Sequence, residues 1–168
     1  MTAQVREETA GDFAPIRAVV AAAFGRDEEA RLVDALREGG YARLSLVAEL
    51  DGQIVGHLLF SDLPIVAADS TVEALALAPL AVVPQHQRTG IGSLLVRDGL
   101  RRLREAGHRI VVVLGHPAYY PRFGFSPELA RQLDSPYAGE SFMALELAEG
   151  ALEGVRGEVK YAPPFEMF

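Results

Sequence analysis

Seven consecutive residues, Gln87-Arg88-Thr89-Gly90-Ile91-Gly92-Ser93, are the part of this chain whose types and spacing most directly imply chemistry. They follow an apolar run, Leu75 to Val83, that stops at Pro84, and they lead into a helical pattern. Glycine has no Cβ, so Gly90 and Gly92 let a ligand come close to the backbone, and the first N–H groups of a helix beginning there have no intrahelical acceptor. The helix dipole adds roughly half a positive charge at that end, and Arg88 with the Thr89 and Ser93 hydroxyls offers donors to phosphate oxygens. The stretch reads as a pyrophosphate cradle between a strand and a helix.

Two other glycine-loop chemistries fit poorly. A Walker A loop places Lys and then Ser or Thr after its last glycine, and none follows Gly92. A dinucleotide fingerprint has a third glycine three residues after the second, where this chain has Leu95. The order Gln87-x-x-Gly90-x-Gly92 instead resembles the signature of the GNAT acetyltransferase superfamily, Gln/Arg-x-x-Gly-x-Gly/Ala. A second stretch is similar to the same family's pattern: Tyr119-Tyr120 followed by Gly124-Phe125, with four residues from Tyr120 to Gly124. Pro121 and the Gly115-His116-Pro117 approach depart from the commoner form, so a short or partly 3₁₀ helix is expected there.

The elements that must position these residues follow from periodicity. Val5 to Glu8 reads as an opening strand, with Thr9 capping a helix and Asp12 serving its first turn. Helix patterns run from about Gly11 to Phe24 and from Asp27 to the Gly39-Gly40 stop. Leu44 to Leu50 and Gln53 to Phe60 flank Asp51-Gly52, a pair that favours a type I′ hairpin turn. Val72 to Val83 reads as one long buried strand, and Pro79 within it implies a bulge or an unpaired edge, because proline donates nothing to a ladder. Gly90 to Ala106 reads as a helix that buries Ile91, Leu94, Leu95, Leu100 and Leu103, and Ile110 to Leu114 as a strand beyond it. That strand, helix and strand form a right-handed crossover. Ser141 to Leu147 and Gly157 to Tyr161 close the series as strands.

With 168 residues, 49% of them hydrophobic and 23% charged, the chain has the size and balance of one globular domain spanning 1–168. The absence of cysteine excludes a disulfide scaffold, a thiolate zinc site and a thiol nucleophile, and four scattered histidines indicate no metal site. The first residues are charged, and no apolar run approaches the ~20 residues of a membrane span, so a cytoplasmic protein without a membrane partner is expected. A net charge of −7 disfavours nucleic acid and favours a cationic substrate. Against that total, five arginines (Arg88, Arg97, Arg101, Arg102, Arg104) lie between Arg88 and Ala106, although a solvated helix face accounts for Arg101 and Arg104.

The resemblance spans about Val5 to Leu147 in order of elements. It implies an α/β fold with a mixed sheet of about six or seven strands and helices on both faces. It further implies an N-acetyltransferase that takes acetyl-CoA (coenzyme A) as donor and a small-molecule or peptide amine as acceptor, by direct attack. By the same resemblance the backbone of Leu80, Ala81 and Val82 holds the pantetheine arm, with Val82 N–H the first choice for the oxyanion. The pyrophosphate rests on Gln87, Arg88, Thr89, Gly90, Ile91, Gly92 and Ser93. The resemblance further implies Tyr120 as general acid to the departing thiolate, with Tyr119 as fallback.

A base is harder to place. Some relatives carry a catalytic Glu at the start of the central strand, where this chain has Glu73, although counting back from Gln87 puts the position nearer Ala76. His57, Glu49 and His116 also fall near strand ends. Two other readings stay open: a non-catalytic acyl-CoA-binding or regulatory protein of the same fold, and an O-acyl or longer-chain acyltransferase. The apolar C-terminal tail permits a homodimer.

Overall fold

The protein was analysed as a computed structural model that describes residues 2–167. Its first half comprises β1 (Gln4–Glu7), α1 (Phe13–Phe24), α2 (Glu28–Glu38), β2 (Ala42–Leu50), β3 (Gln53–Asp62), β4 (Ile65–Val66) and β5 (Thr71–Val72). Then come β6 (Leu75–Val82), α3 (Ile91–Glu105), β7 (Ile110–Leu114), β8 (Leu133–Asp134), β9 (Phe142–Glu146) and β10 (Gly157–Val159), with a short 3₁₀ helix at Tyr120–Phe123.

Asp51 (φ 53°) and Gly52 (φ 77°) both take the left-handed conformation, as a type I′ turn requires, and they fold β2 onto β3. From that hairpin a six-stranded sheet grows in the order β1-β2-β3-β6-β7-β9. It is mixed, because the α3 crossover makes β6 and β7 parallel while the other pairings are antiparallel. The sheet and its helices bear out the expected fold class.

The expected strand over Val72 to Val83 is in fact two. Thr71 and Val72 pair with β4 in a second, four-stranded sheet, β5-β4-β10-β8, and the chain crosses to the main sheet through Glu73-Ala74. Of this second sheet the sequence shows one strand, near Gly157 to Tyr161, because the other three have two residues each and carry no measurable period.

Both faces of the main sheet are covered, one of them in two parts. On one side α3 lays Leu95, Val96, Leu100 and Leu103 against Leu46, Leu58, Phe60 and Val111. The helix can approach because position 99 is glycine: a Cβ there would lie 2.6 Å from the Phe60 ring. Leu94, expected in this core, is 38% exposed because it falls on the outer side of the first turn. On the opposite face α1 and α2 cover β2 and β3 through Ile16, Val20, Leu36, Val47 and Leu59. The second sheet covers β7 and β9 there, through Ile110, Val112, Phe142 and Ala144. The two coverings meet along β6, which gives Ala76 to one and Ala81 to the other.

Beneath α1 and α2 lies one polar chain. Arg37 grips Glu8 through two nitrogens at 2.8 and 3.0 Å, and the Ser45 hydroxyl donates to Glu8 at 2.6 Å. Ser45 Oγ has given up its single proton, so it accepts the Nε2–H of the fully buried His57 at 2.8 Å, and Nδ1 is left without a partner. Burial, outweighing the attraction of Glu8 and aided by Arg37, pushes the His57 pKa down to about 4. The unfolded chain therefore binds a proton that the folded one refuses between about pH 6.5 and 4, and stability should fall as pH drops through that window by about 3 kcal/mol. Denaturant unfolding of wild type and His57→Gln from pH 7 to 4 checks this: the variant should lose that part of the slope.

Candidate functional site

β6 is paired on both edges only at its start. Leu75 and Ala76 face Val111 and Val112 of β7, after which no pairing with β7 continues. On its other edge β6 stays on β3, with an irregularity where Leu58 and Phe60 face Leu80 and Leu77, so that Ala78 and Pro79 together oppose Leu59. The bulge expected from Pro79 is there, and the Ala78-Pro79 peptide is cis.

Ladder alternation then decides which backbone groups face the gap. Val83 N–H donates to Val55 O at 2.9 Å and Ala81 lies opposite His57, so Val83 and Ala81 point their N–H and C=O groups at β3. Leu80 and Val82 point theirs the other way. Ala81, expected among the ligand-holding residues, is therefore a correction: its polar groups belong to the ladder and its side chain is buried. The Val82 carbonyl receives Gln87 Nε2 at 2.9 Å, which leaves the Val82 N–H and both backbone groups of Leu80 facing open space.

That space is a cleft of about 940 Å³, within the size range of small-molecule sites. The glycine loop borders it. Arg88 (φ 64°) and Gly90 (φ 91°) turn the chain sharply into α3, whose first helical bond is Leu94 N–H to Gly90 O at 3.0 Å. The N–H groups of Ile91, Gly92 and Ser93 thus have no helical acceptor. A Cβ at Gly92 would make only ordinary contacts, 3.5 Å to the Tyr119 hydroxyl and 3.8 Å to Leu80 and Val82, so these side chains come up to the glycine at the cleft wall.

The loop side chains divide their duties differently from the expectation. Thr89 Oγ1 donates to His86 O at 2.5 Å, closing the turn rather than facing outward. Ile91 is a core residue at 7% exposure and offers only its backbone. Ser93 Oγ lies 2.9 Å from the Tyr119 hydroxyl at the cleft wall. Of the five arginines, Arg101 and Arg102 bind Asp98, Arg104 donates to Leu147 O, and Arg97 lies over the Phe123 ring. Arg88 borders the cleft and is exposed.

Tyr119 and Tyr120 enter from the 3₁₀ turn, their rings crossing edge to face at 5.0 Å. Tyr120 packs edge to face on Phe125 and is 8% exposed, yet it lines the cleft. Burial, and secondarily Tyr119, pushes its pKa up to about 12. Its ring has space because position 115 is glycine: a Cβ there would come within 2.3 Å of it. In the sequence Gly115 stands only as part of an atypical approach to the tyrosine pair, since nothing local reveals which ring fills the missing Cβ.

Glu73 is not brought to the site. It sits at the opposite end of β6, exposed, in a hollow with Arg43, Asp62 and His108, because the strand break places it in the crossing between sheets. Glu49 binds Arg6 at 2.5 Å and His57 is buried in the Ser45 chain, so neither reaches the cleft, whereas His116 lines it. The cleft also takes Phe24 from the end of α1, Glu29 from the first turn of α2 and Leu114 from the end of β7.

Comparison with known proteins agrees with this geometry. Residues 4–127 match the family model described as "Acetyltransferase (GNAT) domain". The uncharacterized N-acetyltransferase YhbS of Escherichia coli K12 is 40% identical over 98% of this chain and 99% of its own length. The crystal structure of E. coli YhbS in complex with CoA superposes with a TM-score of 0.91 at 38% identity, covering 99% of this chain and 93% of that one. A GNAT family acetyltransferase from Brucella melitensis, in complex with acetyl-CoA, gives a TM-score of 0.81 at 37% identity, covering 98% of each chain.

Because Tyr120 occupies the space of a missing Cβ, Gly115→Ala should destabilise the protein by about 1–3 kcal/mol, the usual cost of overpacking, and displace the tyrosine ring. Thermal denaturation reads the first effect. An unchanged midpoint would show that the ring moves aside freely.

Proposed function

The chain belongs to the GNAT acetyltransferase family, and on that premise we propose that it transfers an acetyl group from acetyl-CoA to a primary amine by direct attack, within the cleft between β6 and β7. The observation that carries this reading is the pair of outward N–H groups on Leu80 and Val82, in line with the unpartnered amides that begin α3. Bound there, acetyl-CoA supplies an acetyl group activated as a thioester.

In this reading the N–H groups of Ile91, Gly92 and Ser93 hold the pyrophosphate at the positive end of the helix dipole, and exposed Arg88 adds charge beside them. Thr89 and Gln87 act indirectly: their side chains tie the loop to His86 O and Val82 O and so keep the amides converged. The backbone of Leu80 offers one donor and one acceptor to an extended amide-bearing arm, as a neighbouring strand would. The Val82 N–H, its own carbonyl being occupied by Gln87, is the donor available to charge developing on an acetyl oxygen.

Proton handling falls to Tyr120 and His116. A lysine-like amine is charged at neutral pH, and holding it neutral costs about 4.6 kcal/mol, so the cleft must take a proton from it. Among the bases named from the sequence, His116 is the one the fold brings to the cleft, and an imidazole suits the task. Tyr120 keeps its hydroxyl proton throughout the neutral range and can give it to a departing sulfur. Burial makes the phenol a weaker acid, so it holds its proton until the departing sulfur has become basic.

Tyr120→Phe should lower kcat by about 10²-fold while leaving CoA affinity unchanged, and the wild type should show no tyrosine-dependent fall in kcat up to about pH 10. Steady-state kinetics with an amine panel and calorimetric titration of CoA measure both. CoA binding without transfer to any amine would mark a non-catalytic binder instead. Arg88→Glu should weaken CoA by about tenfold at low salt, and by less as salt screens the exposed charge.

A further inference from the structure

The cleft has two chemically distinct ends. At the glycine loop it is polar and cationic, with Arg88 and the bare amides, and Arg122 lies over the Tyr119 ring. Where α1 meets α2, its lining is Phe24 and Leu32, joined by Leu114 from the end of β7, with Glu29 as the one carboxylate that borders the cleft among the described residues. Phe24 and Leu114 are 40% and 47% exposed, so two large apolar side chains stand in water on the walls of one concavity. Apolar surface left open in a cleft marks what the cleft is built to cover.

The local sequence explains why these groups converge. Gly25 (φ 70°) ends α1 directly after Phe24, and α2 starts three residues later, so Phe24 and the first turn of α2 are brought close by a tight connection. Arg26 in that connection grips both oxygens of Glu29, at 3.0 and 2.6 Å. This bond, against the cost of burial, holds the Glu29 carboxyl below the usual carboxylate range, so it is ionised. Arg26 is 58% exposed, and such a surface pair is readily exchanged for another cation.

We propose that this end of the cleft binds the acceptor as a primary monoamine on an apolar carbon body, the body covered by Phe24, Leu32 and Leu114 and the ammonium drawn in by Glu29. The inference rests on the acetyltransferase reading and specifies its second substrate. One carboxylate serves one ammonium rather than the several of a polyamine. The reaction balances without a further reagent. The amine loses a proton and forms a carbon–nitrogen bond to the acetyl carbon, the carbon–sulfur bond breaks, and the sulfur takes a proton.

The test measures acetylation of 2-phenylethylamine, spermidine, L-lysine and a trialanine peptide by wild type, Phe24→Ser and Glu29→Gln, with calorimetric CoA titration of each protein. Phenylethylamine should exceed the others in kcat/KM by about tenfold, the scale of discrimination that burying one ring provides. Both variants should raise its KM about tenfold with kcat and CoA affinity unchanged, and Phe24→Leu and Glu29→Asp should restore most of the loss. Preference for spermidine, lysine or the peptide overturns the inference. So does an unaltered KM in the two variants, or CoA binding with none of the four acetylated. Absence of CoA binding in the wild type overturns the acetyltransferase reading itself, and this inference with it.

Discussion

A strand in the middle of a sheet ordinarily has both rows of its backbone groups paired, and β6 meets that requirement against β7 only as far as Ala76. Past that point the Ala78-Pro79 bulge, opposed to the single residue Leu59, turns the strand while β3 keeps hold of its other edge. Unpaired N–H and C=O groups inside a protein are costly unless something else meets them. One carbonyl, that of Val82, is met by Gln87. The rest open on a cleft that the protein does not fill, and the site depends on that parting of strands.

The covering of the sheet is arranged around the same place. α3 spans one face without interruption, which directs its N-terminus at the gap, while the other face is roofed by two separate bodies that meet along β6. A continuous roof would have buried the strand's outward groups and forced them to pair. The seam leaves the cleft bordered by the end of α1 and the start of α2 as well as by the glycine loop. Direct transfer between two bound molecules needs an entry for each.

Charge follows the same division. The protein as a whole carries −7, yet much of its arginine is neutralised internally: Arg6 by Asp12 and Glu49, Arg37 by Glu8, Arg101 and Arg102 by Asp98. The cleft is bordered by exposed Arg88 at the glycine loop and by Glu29, paired with Arg26, in the first turn of α2. An anion and a cation entering from opposite ends would each meet the complementary sign. The surrounding negative field then favours an amine in the encounter.

Much of this protein could be read from its residues in order. The I′ turn at Asp51-Gly52, the proline bulge in β6, the loop from Gln87 to Ser93 and the crossover through α3 each depend on neighbours a few positions apart, so their chemistry is written locally. So is the resemblance that placed Tyr120. The structure decided matters that depend on pairing and packing between distant segments. Ala81 turned inward because alternation along β3 sets the direction of its amide, Glu73 fell at the far end of a strand that breaks at the crossing between sheets, and Leu94 landed outside the core. Phe24, Glu29 and Leu114 reached one cleft from three elements, and Gly115 gained its meaning from a tyrosine ring that packs into its missing side chain. Residues so far apart are brought together by burial of the surfaces between them, and no period or motif records which of those surfaces will meet.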